Sequence, residues 1–183
     1  MFIRIVPIGN PPKQILDKLP DVLKSIFRAN VKIFDAMAVS AGAWNVWRKQ
    51  YDAGKMIDAL CGEQVATFID KSVPTLFITD ADIFYQGLTF VFGIENPEKN
   101  CSIVSIARLK PEFYGKTPSL NVLSDRVAKE AVHELGHHIG LNHCPHPFCV
   151  MCYSPSVADV DSKKLEFCNS CKIKASSKGF KLE

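Results

Sequence analysis

The stretch from position 133 to 143 concentrates the reactive side chains of this sequence. It reads His-Glu-Leu-Gly-His-His-Ile-Gly-Leu-Asn-His, the spacing H-E-x-x-H-x-x-G-x-x-H, and it holds four of the five histidines. A helix turns about 100° per residue, so His133 and His137 stand one turn apart on one face. Two imidazoles so placed can share one metal ion. Glu134 projects beside them, close enough to reach water on that metal without being a ligand. Gly140 falls where the helix must stop, because glycine tolerates the left-handed turn that reverses the chain. The reversal can return His143 as a third ligand. Three protein ligands leave one tetrahedral position for water, which is the arrangement of a catalytic zinc rather than a structural one. A bare H-E-x-x-H arises by chance; a glycine and a third histidine in register argue against a helix that merely happens to be histidine-rich.

A second set of ligand types follows at once. Cys144 and Cys149 form C-x4-C, and after an 18-residue spacer Cys168 and Cys171 form C-x2-C. Two short thiolate pairs separated by a loop have the spacing of a structural four-cysteine zinc site. His146 could replace one cysteine, but its flanking prolines fit better as shapers of the knuckle. His143 and Cys144 are adjacent, and their side chains can point to opposite sides of an extended backbone. One short segment would then be clamped between two metals, and the thiolate site would fix the third histidine. The remaining three of the seven cysteines, Cys61, Cys101 and Cys152, lack such spacing and read as buried thiols.

These groups need a scaffold. A chain of 183 residues with 47% hydrophobic content can build one full core, so 1–183 is expected to be a single catalytic domain. Its N-terminal lobe would be 1–140 and its C-terminal lobe 141–183. No apolar run approaches the roughly 20 residues of a membrane span. The opening Met-Phe-Ile-Arg-Ile-Val-Pro is broken too soon for a secretory segment and reads as a first strand. A cytoplasmic monomer is expected, in which cysteines bind metal rather than each other. Four thiolates and two zinc ions cancel, so the formal charge of +3 persists and gives no argument for nucleic acid.

In order, 2–8 suits a buried strand. Residues 13–28 carry apolar side chains at helical spacing, with Pro20 expected to kink or divide the helix. Strands are expected over 31–38, 75–80, 88–94 and 101–109, the last two joined by a hairpin loop at 96–100. Asp52 should cap a short helix over 52–61. Trp44 and Trp47 fit core packing, with an aromatic cleft wall as the alternative. Asp80 and Asp82 read as turn formers rather than as a second carboxylate site. Thr117-Pro118-Ser119 opens the motif helix, which should run to about Ile139. The tail from Lys172 is expected to fray.

The double metal motif, followed by Val160-Asp161-x-Lys163 and Phe167-Cys168-x-x-Cys171, resembles the archaemetzincins, as do the run from Gly87 to Gly93, the run from Val104 to Leu109 and the opening Ile5-Val6-Pro7-Ile8-Gly9. The resemblance spans nearly the whole chain. It implies a metzincin-like α+β fold: a mixed five-stranded sheet, a backing helix, an active-site helix and a small zinc-bound C-terminal lobe. It implies two zinc ions, a Met-turn at Met151, and a sheet edge over Thr89, Phe90, Val91, Phe92 and Gly93 that pairs with a peptide or protein substrate. Tyr153 stands where the family has an apolar aromatic. Its hydroxyl could donate to a developing oxyanion; packing beneath the metal is the favoured role.

The reading that follows is a zinc peptidase with Glu134 as general base. Three rivals remain in the sequence. Glu166 could replace His143 as third ligand, as in thermolysin-like enzymes. The cysteine knuckle with Lys172, Lys174, Lys178 and Lys181 could bind nucleic acid. A zinc protein could also bind peptides without cutting them.

Overall fold

The computed structural model describes residues 1–62 and 73–183. Strand β1 (Phe2–Ile8) is buried at every residue after Phe2, the pattern of a strand covered on both faces. Helix α1 (Lys13–Phe27) leads back to β2 (Asn30–Ile33), parallel to β1. Pro20 lies inside an unbroken α1 and does not divide it. The helix buries Ile15, Leu19, Leu23, Ile26 and Phe27, and five such side chains outweigh the ~3 kcal/mol that an interior proline costs. Strand β2 ends at Ile33, short of the expected 31–38; beyond it Met37 makes only an isolated bridge to Ile8.

Two short strands, β3 (Trp44–Asn45) and β4 (Gln50–Asp52), precede α2 (Ala53–Leu60). Asp52 caps α2 as expected, accepting from the Lys55 amide at 3.1 Å. Then come β5 (Thr75–Thr79), β6 (Ile83–Phe84), β7 (Gly93–Asn96) and β8 (Cys101–Ser105). The chain finishes with α3 (Leu120–His138), α4 (Val157–Ser162) and α5 (Asn169–Ser177). Among the described residues no helix is long and apolar enough to cross a membrane.

The main sheet has the order β2-β1-β5-β8-β7, parallel except for β7, which runs antiparallel to β8. This is the mixed five-stranded sheet of the α+β expectation. Strand residues alternate between faces. Ile3, Ile5, Leu76, Ile78 and Val104 pack with α1 and α3, whereas Val6, Ile8, Phe77 and Ile103 pack with α2 on the other side. A second sheet, β3-β4-β6, stands beside the first.

Several expectations need correction. The strand expected over 88–94 starts only at Gly93, so Thr89, Phe90, Val91 and Phe92 precede the edge strand rather than form it. Val91 donates to the Ile83 carbonyl, and Phe92 is buried with Phe90 packed edge-on against it. Phe92 still accepts from the Ser105 amide of β8 at 2.8 Å, but at Val91 the segment turns to β6. Strand β8 ends at Ser105, and residues 107–109 make a 3₁₀ turn. Cys61 and Cys101 are buried, but they are not free thiols: a disulfide joins the end of α2 to the start of β8. Cys152 is free and half-buried. Trp44 and Trp47 are exposed, not core. The tail does not fray at Lys172: α5 continues to Ser177, Phe180 and Leu182 pack against the core, and the Glu183 amide donates to the Ile26 carbonyl at 3.1 Å. Asp80 and Asp82 behave as turn residues. Asp80 accepts from the Asn10 amide, and Asp82 takes a two-pronged bond from Arg108 at 2.7 and 2.9 Å.

Candidate active site and metal centres

Ser119 starts α3, its hydroxyl accepting from the Val122 amide. From Arg126 to Gly136 every residue of α3 is buried, because the sheet lies on one side and the C-terminal lobe on the other. Charged residues inside such a helix need partners. Arg126 forms a two-pronged bond to Asp161 at 2.7 Å per prong and donates to the Leu109 carbonyl at 2.8 Å. Glu130 faces Lys163 at 2.8 Å, and both are buried.

The helix ends at the predicted glycine. Gly140 takes φ 81°, and the Leu141 amide turns back to the Gly136 carbonyl at 3.1 Å. The reversal carries His143 to the other two histidines: its ring lies 5.2 Å from that of His133 and 4.9 Å from that of His137. His133 donates from Nδ1 to the Val150 carbonyl at 2.9 Å, and His137 from Nδ1 to the Leu141 carbonyl at 2.8 Å. A carbonyl can only accept, so each bond fixes the tautomer that leaves Nε2 bare. The two Nε2 atoms are 3.2 Å apart. Burial, then the charge of Lys163, pushes the His133 pKa well below the usual imidazole range. Burial also lowers that of His137 and His143. Neutral imidazoles with bare, converging nitrogens are the form a metal requires, and one ligand atom from each of the three histidines lies within 4.8 Å of the others.

Glu134 is buried at the edge of this group. Burial first, then the charges of Glu130 and Glu95, lifts its carboxyl well above the usual range. It rests against Gly93 of β7, where any side chain would collide with it. Around these groups lies a cleft of about 360 Å³. Tyr85, Leu88 and Phe90 line it together with the β7 residues Gly93 and Glu95, and Tyr153 and Pro155 also border it. Tyr153 is half exposed, its ring 5.1 Å from that of His143.

The four cysteines converge on the far side of His143. Cys144 and Cys168 Sγ atoms are 3.7 Å apart, Cys149 and Cys171 3.8 Å, and all four sulfurs lie within 4.8 Å of one another. Such a closed set of soft donors fits a structural zinc. Met151 sits between the two groups: the Cys144 amide donates to its carbonyl at 2.8 Å. Its sulfur fills the space above Gly136, where any Cβ would collide with it. His146 stands outside the cluster, accepting from the Phe148 amide at 3.3 Å. Glu166 is exposed, and the ligand group of α3 contains His143 instead.

Two charged side chains at the site, Glu130 and Glu95, go unread in the sequence, and Lys163 enters it only through the family resemblance. Glu130 and Lys163 meet across 33 positions, and Glu95 reaches the cleft from an edge strand. Only Glu130, four residues before Glu134 and so on its helix face, leaves a local trace.

Comparison with known proteins agrees with this geometry. Residues 15–176 match peptidase family M54. The archaemetzincin of Pyrococcus furiosus is 38% identical over 175 residues, covering 93% of this chain and 90% of that protein. The archaemetzincin of Methanocaldococcus jannaschii is 36% identical over 184 residues, covering 98% and 95%. Among solved structures, a zinc-dependent peptidase from Methanocorpusculum labreanum superimposes with a TM-score of 0.87 at 28% identity, covering 94% of this chain and 99% of that one. The archaemetzincin of Archaeoglobus fulgidus, complexed with malonate, gives 0.78 at 34% identity, covering 97% and 99%.

Proposed function

Since this chain belongs to the archaemetzincins of peptidase family M54, and is a zinc metallopeptidase with one catalytic and one structural zinc, we propose that it hydrolyses extended peptides with Glu134 as general base. The observation that carries this reading is the convergence of three histidine nitrogens and one buried carboxyl at a single cleft. His133, His137 and His143 hold the catalytic zinc; Cys144, Cys149, Cys168 and Cys171 hold the structural one. The catalytic zinc supplies a Lewis acid for the scissile carbonyl and lowers the pKa of water towards about 7.

The chain's own groups do the rest. Glu134 takes a proton from the attacking water on a carboxylate oxygen and returns it to the leaving amine. Its burial keeps its proton affinity high, which suits a group that must both accept and deliver. Strand β7 is the last in its sheet, so its outer edge is open to a peptide backbone that adds as a further strand. Gly93 lets that strand approach Glu134 closely. Tyr153 borders the cleft beside His143, and its hydroxyl would donate towards the oxygen of the scissile carbonyl. We read the unit as one catalytic domain, 1–183; the larger of two apolar clusters, which runs from Ile3 in the first lobe to Ala175 in the second, supports this.

Glu134→Gln tests the assignment. The variant keeps the shape of the side chain and removes no ligand, so zinc content should stay at two per chain while peptide hydrolysis falls by at least ~10²-fold. Near-normal turnover would remove Glu134 from the mechanism.

A further inference from the structure

The turn between β3 and β4 is the most conspicuous feature that the catalytic site leaves unused. Trp47 is 93% exposed and Val46 65%, with Trp44 beside them at 46%. The turn is well ordered by its own bonds. The Asn45 side chain accepts from the amides of Trp47 and Arg48 at 3.1 and 3.0 Å, and the Lys49 amide closes onto the Asn45 carbonyl at 2.9 Å. At its base the Trp44 ring packs on Tyr51 across the hairpin.

This turn is fastened to the rim of the cleft. The Arg48 guanidinium lies over the Phe84 ring at 4.2 Å and donates to the carbonyls of Leu88 and Thr89 at 2.9 and 2.8 Å. Leu88 and Tyr85 line the catalytic cleft and are also exposed apolar surface in their own right. The Arg48 bonds thus tie the turn that carries Val46 and Trp47 to a cleft rim that has exposed apolar residues of its own, Leu88 and Tyr85. Single exposed apolar residues on a monomer need no explanation. A tryptophan held on a fixed turn, one residue from the side chain that braces the substrate cleft, is different: it is a large anchor whose ordering costs little on binding.

We infer that the Val46–Trp47 tip is an exosite for the polypeptide substrate itself, binding an apolar stretch of the extended chain several residues from the bond being cut. The attachment of this turn to the cleft rim through Arg48 selects that occupant. The guanidinium of Arg48 is turned to rim carbonyls, so Val46 and Trp47 supply the apolar contact of a turn whose one other exposed cation is Lys49. This inference rests on the reading of the cleft as a peptide site. It predicts that substrate length matters: a peptide of about a dozen residues, roughly 40 Å when extended, reaches both sites, and one of about four residues reaches only the cleft.

The test compares the zinc-loaded protein carrying Glu134→Gln with the same protein carrying Val46→Ser and Trp47→Ser as well. Binding of long and short apolar peptides is measured by fluorescence anisotropy, which needs no turnover. The added changes should weaken the long peptide roughly tenfold relative to the short one, and Trp47→Phe in place of Trp47→Ser should recover most of the loss. In the wild-type background the same changes should raise KM for long peptides more than they lower kcat. An unchanged ratio of long to short affinity overturns the inference, as does failure of the protein to bind either peptide. So does loss of anionic phospholipid vesicle binding, or of self-association in sedimentation, with long-peptide affinity intact. Absence of cleavage by wild type, with the length-dependent binding present, would sink the peptidase reading and leave the exosite standing.

Discussion

Gly93 on the edge strand and Glu134 on the active-site helix are in direct contact: a Cβ at position 93 would lie 2.5 Å from Glu134 Oε1 and 2.9 Å from its Cγ. Glycine here answers to close approach, because the strand must pass the Glu134 carboxyl at backbone distance. Glu134 is buried and can yield only by swinging its carboxyl away from the three histidines. Gly93→Ala should therefore lower kcat by roughly 10–100-fold, since displacement of a reacting group by about 1 Å can cost ~10². Zinc content should not change, because no ligand is touched. Unaltered kcat in a folded Gly93→Ala protein would mean that the strand, not the carboxyl, gives way.

The adjacency of His143 and Cys144 predicts that the two metal sites depend on each other mechanically. Cys168→Ser removes one thiolate from the closed site, and it also removes the Sγ that lies 3.7 Å from Cys144. The loop carrying His143 is then held at one end only. Affinity for the catalytic zinc should fall by roughly 10–100-fold, as is common when the groups supporting a ligand are lost. Titration with a chelator, read by metal content and by circular dichroism, checks this. Equal catalytic-zinc affinity in a folded variant lacking the thiolate-bound metal would show that the sites are independent.

Local spacing made the zinc centre readable, and long-range pairing marks where reading stopped. His133, Glu134, His137, Gly140 and His143 lie within three turns of chain, where helical geometry alone decides what meets. The cysteine pairs are similarly local. Cys61 and Cys101 are 40 positions apart in sequence, and no spacing rule brings them together. The segment 88–92 has the composition of a strand, yet Phe90 and Phe92 pack on each other and at Val91 it turns to β6. Trp47 has the composition of core and sits at a hairpin tip because Asn45 makes the turn there. The disulfide is a tertiary pairing that no local rule foresees, whereas at Trp47 a short asparagine turn overrode the apolar composition.

Lys163 and Glu130 form an ion pair whose side chains are 1% and 5% exposed, and the ammonium also reaches towards the Cys152 carbonyl at 3.5 Å. The pair joins the loop after Met151 to the active-site helix one turn ahead of Glu134. Lys163→Met would leave the Glu130 carboxylate buried without a partner, which costs about 3–5 kcal/mol. Adding Glu130→Leu removes the stranded charge and should restore most of that loss, because buried pairs replaced whole by apolar residues are often neutral in stability. Urea unfolding of the zinc-loaded single and double variants measures both steps. A single variant that loses under 1 kcal/mol would show that water or a shifted side chain already serves Glu130.

Tyr153 separates packing from catalysis most sharply. A tyrosine filling an apolar slot beneath the metal would be buried, yet Tyr153 is 52% exposed and borders the cleft, with its ring tilted against that of His143 at 5.1 Å. Its body rests on the third ligand and its hydroxyl is free to meet a bound carbonyl. One fixed donor in an enclosed oxyanion site is worth ~10²–10³ in kcat; a half-exposed ring is less well fixed, so Tyr153→Phe should lower kcat by about 10–100-fold. KM should change little, because the bond strengthens only as charge develops on the oxygen. Loss of the ring itself is a different matter: Tyr153→Ala also uncovers His143, and should weaken zinc binding where Tyr153→Phe does not. Steady-state kinetics on both variants, with zinc content determined for each, distinguishes the two roles. Wild-type kcat in Tyr153→Phe, with loss of zinc confined to Tyr153→Ala, would leave the ring as a support for His143 and take the hydroxyl out of the reaction.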